Sequence, residues 1–142
     1  MTFSLLNSVD DKDMEIIKSV YDAPCVARFV CINKEMFWSY VTATENVYFF
    51  KVYVGGALAG TVQCELCDGV LYLALVVLPE YQKKGIGTAI VKSVIDGKTG
   101  LDFNEIQVSI DEKNIASLRL FEKCDFVRTG HNDELVDFQY VV

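Results

Sequence analysis

The chain has 142 residues, close to the roughly 150 expected of one domain. Hydrophobic residues make up 51% and charged residues 23%, so a packed core is expected and disorder is disfavoured. Thirteen Lys and Arg against twenty Asp and Glu leave a net charge of −7. That argues against a nucleic-acid binder with a broadly basic surface and mildly favours a cationic small-molecule partner.

No apolar run reaches the roughly 18 residues of a membrane helix. Met1-Thr2-Phe3-Ser4 lacks the basic start and apolar block of a signal peptide. The expectation is a soluble cytoplasmic protein without membrane contact, as a monomer or homodimer. The cysteines are Cys25, Cys31, Cys64, Cys67 and Cys124, and only Cys64 and Cys67 have C-x-x-C spacing. One such pair and one distant histidine do not make a four-ligand zinc site, so no metal is expected and the thiols are read as free.

Phe3 to Leu6 reads as a short strand. Asp10-Asp11 offers a cap for a helix with Met14, Ile17, Val20 and Tyr21 on one face, ended by Pro24. A second helix, from Asn33 to Val41, carries Met36, Phe37 and Tyr40 at helical spacing. Strands follow over Val47–Val54 and Ala57–Cys67, with hairpin signals at Gly55-Gly56 and Asp68-Gly69. Val70 to Leu78 is almost unbroken apolar sequence, which predicts a central strand covered on both faces. Pro79 ends it. A helix runs from Gly85 to Asp96 with Ile86, Ile90 and Val94 on one face, closed by Gly97. Ile106, Val108 and Ile110 alternate as a strand. Asn114 caps a helix with Ile115, Leu118 and Phe121 inward. Phe126–Gly130 and Leu135–Val142 read as the last strands. The order β-α-α-β-β-β-α-β-α-β-β predicts a single-domain α/β fold, a mixed, mostly antiparallel sheet with helices on both faces.

The chemistry concentrates after the apolar strand, in Val76-Val77-Leu78-Pro79-Glu80-Tyr81-Gln82-Lys83-Lys84-Gly85-Ile86-Gly87-Thr88. A helix start leaves backbone N–H groups unsatisfied at the positive end of its dipole, where an anion docks. Gly85 and Gly87 let phosphate oxygens approach the main chain, and Lys83 and Lys84 add positive charge. The segment reads as a pyrophosphate cradle. No P-loop string exists, and the fragment Gly85-Ile86-Gly87-Thr88-Ala89-Ile90 is a poor dinucleotide fingerprint, lying past mid-chain after an antiparallel meander.

At this point the sequence resembles the GNAT N-acetyltransferase superfamily. Gln82-Lys83-Lys84-Gly85-Ile86-Gly87 fits the family's Q/R-x-x-G-x-G/A signature for acetyl-CoA. Asn114-Ile115-Ala116-Ser117-Leu118-Arg119-Leu120-Phe121, followed by Asp125-Phe126, resembles its downstream N-x-x-A/S-x-x-x-Y/F motif, with Asp125 in place of the usual glycine. The element order fits over nearly the whole chain.

The resemblance implies an acetyl-CoA-dependent N-acetyltransferase, with acetyl-CoA as cosubstrate and a small-molecule or peptide primary amine attacking the thioester directly. It implies that the central strand splays from its neighbour, freeing backbone groups of Leu75, Val76 and Val77 for pantetheine. The diphosphate would sit on the amides of Lys83, Lys84, Gly85, Ile86, Gly87 and Thr88, behind Gln82. Asn114 would bond the cofactor as well as cap its helix. An oxyanion donor is expected near Val76 or Val77. Phe121 stands where many members have the tyrosine that protonates the thiolate, so it is expected to pack beside the cofactor. Water, Tyr72 or Cys124 would then supply that proton.

Carboxylate positions used by some members are apolar here (Leu73, Ala74) or serine (Ser109). The best remaining base is Glu65. A two-residue Asp68-Gly69 loop would pair Cys67 with Val70 and set Glu65 opposite Tyr72, on a face shared with Gln63 and Ala74. Asp133, Glu134 and Asp137 are candidates for attracting a cation, with a solvated hairpin as the plainer reading. His131 is expected to be exposed. Trp38, Tyr40 and Phe37 are candidates for the acceptor pocket. The missing tyrosine and carboxylates leave a second reading open, a CoA-binding sensor or interaction module without catalysis.

Overall fold

The computed structural model describes residues 1–27 and 34–142, without the side chains of Cys25, Lys34 and Glu35. The predicted helix start at Asn33 and the thiols of Cys25 and Cys31 lie outside what is described. In chain order the elements are β1 (Thr2–Leu5), α1 (Met14–Asp22), α2 (Pro24–Ala27), α3 (Lys34–Ala43), β2 (Val47–Val54), β3 (Ala57–Cys67) and β4 (Val70–Val77). A 3₁₀ turn over Pro79–Tyr81 leads to α4 (Ile86–Ile95), β5 (Glu105–Asp111), α5 (Ile115–Lys123), β6 (Val127–Asn132) and β7 (Leu135–Val141). The strands form one sheet in the order β1-β2-β3-β4-β5-β7-β6. Neighbours are antiparallel except β4 and β5, which are parallel.

Glycine and aspartate turns set the register of the meander. Gly55 and Gly56 both have positive φ, as do Asp68 and Gly69, the backbone of tight two-residue hairpins. Cys67 therefore pairs with Val70, and Glu65 falls opposite Tyr72, as the sequence predicts.

Strand alternation divides the core between the two faces of the sheet. Phe50, Val62, Leu71, Leu73, Ile106 and Phe138 pack with Ile90, Val91 and Val94 of α4 and Leu118 and Phe121 of α5. Phe49 and Val76 pack on the other face with Met14, Ile17 and Tyr21 of α1 and Trp38 and Val41 of α3. On that second face Lys51 of β2 is 4% exposed. Its Nζ donates to Asp11 at 2.8 Å and Asp13 at 3.1 Å, fastening the approach to α1 onto the sheet. No helix among the described residues is long and apolar enough to cross a membrane.

Several details differ from the sequence reading. Pro24 does not simply end α1; it opens the short α2, since proline is tolerated in a first helical turn, where its missing N–H is no loss. Leu6 lies beyond β1 yet is buried, its N–H bonded to Phe49 O at 2.7 Å. In α3 the buried residues are Trp38 and Val41, while Met36 and Tyr40 face solvent. Ile115 is also exposed, standing in the first turn of α5 before that helix meets the sheet. Most consequentially, β4 is covered fully on only one face: Tyr72 is 45% exposed and Ala74 is exposed with it. Small and aromatic side chains there floor an opening instead of a core.

Candidate functional site

The opening arises because β4 and β5 are held by different neighbours. They pair at Val70↔Glu105, Leu71↔Ile106 and Tyr72↔Gln107, and there the pairing stops. β4 continues along β3 to Gly60↔Val77, and β5 continues along β7 to Asp111↔Leu135. Among the described residues, Leu73 to Val77 therefore keep a backbone edge toward β5 with no strand on it, able to bond an extended ligand.

The end of β4 leads directly into the glycine-bearing turn. Gly85 caps α4 with φ 78° and no side-chain hydrogen bond. Ala89 N–H bonds Gly85 O at 3.1 Å as the first intrahelical donation, which leaves the amides of Ile86, Gly87 and Thr88 without partners inside the helix. An added Cβ at Gly85 would meet open space. Lys83 also has positive φ, at 62°, and Lys84 lies with Nζ 5.9 Å from the centre of the Tyr81 ring. Bare amides, a positive helix end and two lysines suit a diphosphate chemically.

Two residues of this segment have structural duties the sequence did not reveal. Gln82 turns its amide back to donate to Val77 O at 3.1 Å. It straps the turn to the end of β4 and occupies one of the backbone groups assigned to pantetheine. Gly87 is buried, and an added Cβ would stand 2.5 Å from Leu120 Cδ1. Its missing side chain lets α4 approach α5, a packing reason for glycine there in addition to access for phosphate.

On the face shared with α1 to α3, a cleft of about 530 Å³ spans the parting of the strands. Gln63 and Glu65 come from β3, Tyr72 and Ala74 from β4, Gln107 and Ser109 from β5, Thr129 from β6, and Asp137 and Gln139 from β7. Among the described residues no lysine or arginine lines it. Glu65 Oε1 accepts from Tyr40 OH at 2.8 Å and from Gln63 Nε2 at 3.2 Å. Donating to that carboxylate, with some burial, raises the Tyr40 pKa above its ordinary value, so the hydroxyl stays a donor. Across the cleft, Ser109 Oγ donates to Asp137 Oδ1 at 2.7 Å.

Glu65 and Tyr72 thus share the cleft. Cys124 does not line it: the thiol is buried in the core, and burial pushes its pKa up. Phe121 is 2% exposed, with its ring against Phe126 and Phe138. Asn114 caps α5, accepting from Ser117 N at 3.3 Å. Asp133 and Glu134 are exposed, whereas Asp137 is a cleft residue rather than part of a solvated turn. His131 pairs with Glu112 at 2.8 Å. Tyr40 joins the site through Glu65, while Trp38 and Phe37 pack with Tyr21. The alternation in β5 points to Gln107, and nothing local in the sequence marks Thr129 or Gln139 as cleft residues.

Residues 17–126 match the model of the Acetyltransferase (GNAT) family. The chain belongs to the GNAT family. Its members are acyltransferases, and the mixed sheet with helices on both faces is their fold. No curated protein matches the chain in sequence. Among solved structures, the spermidine N-acetyltransferase of Vibrio cholerae, in complex with CoA and spermine, superposes with a TM-score of 0.79 at 17% identity, covering 99% of this chain and 95% of that one. An aminoglycoside acetyltransferase in complex with coenzyme A gives 0.81 at 18%, covering 99% and 94%. A Campylobacter jejuni N-acetyltransferase gives 0.78 at 13%, covering 99% and 96%. At these identities the likeness is one of fold.

Proposed function

We propose that the protein is an acetyl-CoA-dependent N-acetyltransferase that acetylates a cationic primary amine, as one domain working without a metal. The observation that carries this reading is the parting of β4 from β5 after Tyr72↔Gln107, with a bare helix N-terminus at Gly85 next in the chain. The thioester arm would run along the edge of Leu75 and Val76, and the diphosphate would rest on the amides from Lys83 to Thr88. Asn114 would bond the arm from α5. Positioning the amine against the thioester supplies much of the acceleration, with a strand amide near Val76 stabilising the developing oxyanion.

The cleft supports a cationic acceptor, because Glu65 and Asp137 line it and, among the described residues, no lysine or arginine does. Glu65 would hold a cationic end of the acceptor, directly or through a water, and Tyr72 would pass a proton toward the departing thiolate. A thiol pKa of about 8.5 makes that thiolate a tolerable leaving group even without an acid.

The test is calorimetric titration with acetyl-CoA, then release of free thiol with a panel of polyamines, aminoglycosides and peptide amines. Saturable binding with thiol release supports the reading, and Glu65→Gln should raise the acceptor KM. Saturable binding without release across the panel would favour a CoA-binding module, consistent with Phe121. No binding at all would remove the coenzyme from the account.

A further inference from the structure

The proposed chemistry leaves one proton without a destination. A primary amine arrives as an ammonium ion and must lose a proton before its nitrogen can attack. Glu65 is poorly placed to take it. It lies on β3, in the row of Tyr72 and Gln107, where β4 and β5 are still joined.

Ser109 stands elsewhere. It is one same-face step past Gln107 on β5, about 7 Å further along the strand, where β4 and β5 have parted. It faces the cleft opposite the unpaired stretch of β4. Its register partner on β7 is Asp137, and Ser109 Oγ donates to Asp137 Oδ1 at 2.7 Å. The other carboxylate oxygen accepts from Asn132 Nδ2 at 3.4 Å. With its hydrogen committed to the carboxylate, Oγ presents its lone pairs to the cleft.

Resting on the acetyltransferase reading, we infer that Ser109 and Asp137 form a proton relay that neutralises the acceptor amine. Ser109 Oγ accepts an N–H from the ammonium and passes its own proton to Asp137. The neutral nitrogen then attacks the thioester carbonyl: the C–N bond forms, the C–S bond breaks, and a second nitrogen proton goes to the leaving thiolate. Ammonium, thioester and carboxylate thus become amide, thiol and carboxylic acid, with charge and atoms balanced. Ser109 is the catalytic residue, since it touches the amine; Asp137 acts through it. Among the described residues the other titratable groups lining the cleft are Glu65 from β3 and Tyr72 from β4. His131 of β6 and Glu112, just past β5, are bonded to one another.

The experiment compares wild-type protein with Asp137→Asn, Ser109→Ala and Ser109→Thr across a pH series, using acetyl-CoA and the panel amine with the fastest wild-type turnover, spermidine being tried first. General-base catalysis contributes about 10²–10⁴-fold. Near neutral pH the kcat of Asp137→Asn and Ser109→Ala should therefore fall about 100-fold, with acetyl-CoA affinity within about twofold. The deficit should shrink in alkaline buffer, where the amine is already neutral, and Ser109→Thr should restore most of the rate. A deficit equal at every pH, or variants within about threefold of wild type, would overturn the relay and leave the acetyltransferase reading standing. Absence of transfer by the wild-type protein itself would overturn both.

Discussion

Tyr40 on α3 donates a 2.8 Å hydrogen bond to Glu65 on β3, so the helix beside the cleft is tied to the carboxylate on its wall. The bond fixes one oxygen of Glu65 and leaves the other for a ligand. Tyr40→Phe removes the donor without changing the ring. A hydrogen bond to a charged group is worth about 1.5–3 kcal/mol when buried; this one is exposed and worth less. The expected outcome is an acceptor KM raised about threefold to tenfold, with acetyl-CoA affinity unchanged. Steady-state kinetics with calorimetry of acetyl-CoA binding checks it, and an unchanged KM would separate α3 from acceptor recognition.

Gly87 and Leu120 meet where α4 crosses α5. An added Cβ at Gly87 would stand 2.5 Å from Leu120 Cδ1. That methyl is the end of a side chain and can rotate, so Gly87→Ala should cost about 1 kcal/mol, the low end for overpacking. Gly87→Val should cost about 3 kcal/mol. Leu120→Ala should relieve much of this in the double variant, a non-additivity that chemical denaturation measures. Independent, additive costs would mean that Gly87 is required for another reason.

Local signals in the sequence carried the meander and the turn. The Asp68-Gly69 hairpin dictates the β3–β4 register and with it the Glu65–Tyr72 pairing, because both lie within a few residues of one turn. The Ser109–Asp137 bond joins residues 28 apart in sequence, with α5 and β6 between them, so no local pattern could align them. The packing partner of Gly87 is hidden from local pattern for the same reason, since Leu120 lies on another helix. The apolar run of β4 pointed to burial on both faces, because alternation cannot distinguish a core face from the floor of a cleft when Tyr72 and Ala74 are themselves apolar enough for either.

Lys51 should set the acid limb of stability. Burial pushes Asp11 and Asp13 up, but hydrogen bonds, from Lys51 to both, from the Asp13 amide to Asp11 and from Tyr53 to Asp13, outweigh it and hold both below the ordinary 3.8. Burial lowers Lys51, and its bonds to Asp11, Tyr53 and Asp13 more than reverse that, raising it above 10.5. The carboxylates therefore contribute fully above pH 3.8 and lose their contribution as pH falls through their lower folded values. The lysine contributes fully below 10.5 and loses its share as pH rises through its folded value. Lys51→Met leaves two half-buried carboxylates uncompensated and should cost about 3 kcal/mol near neutral pH. The gap to wild type should narrow below pH 3.8, where the carboxylates protonate. Denaturant titrations across pH read this, and a gap constant with pH would show that the loss is one of packing.

Asn114 carries two duties that substitution can separate. Its side-chain oxygen caps α5 by accepting from Ser117 N at 3.3 Å, while its NH₂ group is the part proposed to bond the coenzyme. Asn114→Ala removes both and should lower stability by about 1 kcal/mol. Asn114→Asp keeps the capping oxygen and places negative charge at the positive end of the helix, so its melting temperature should equal or exceed that of wild type. It also exchanges a donor for an acceptor, and acetyl-CoA affinity should fall about tenfold, near 1.4 kcal/mol. Calorimetry and thermal melting on the same two variants distinguish the duties: an Asp variant that melts normally yet binds weakly assigns Asn114 to the coenzyme, whereas undiminished binding by both variants restricts it to the cap.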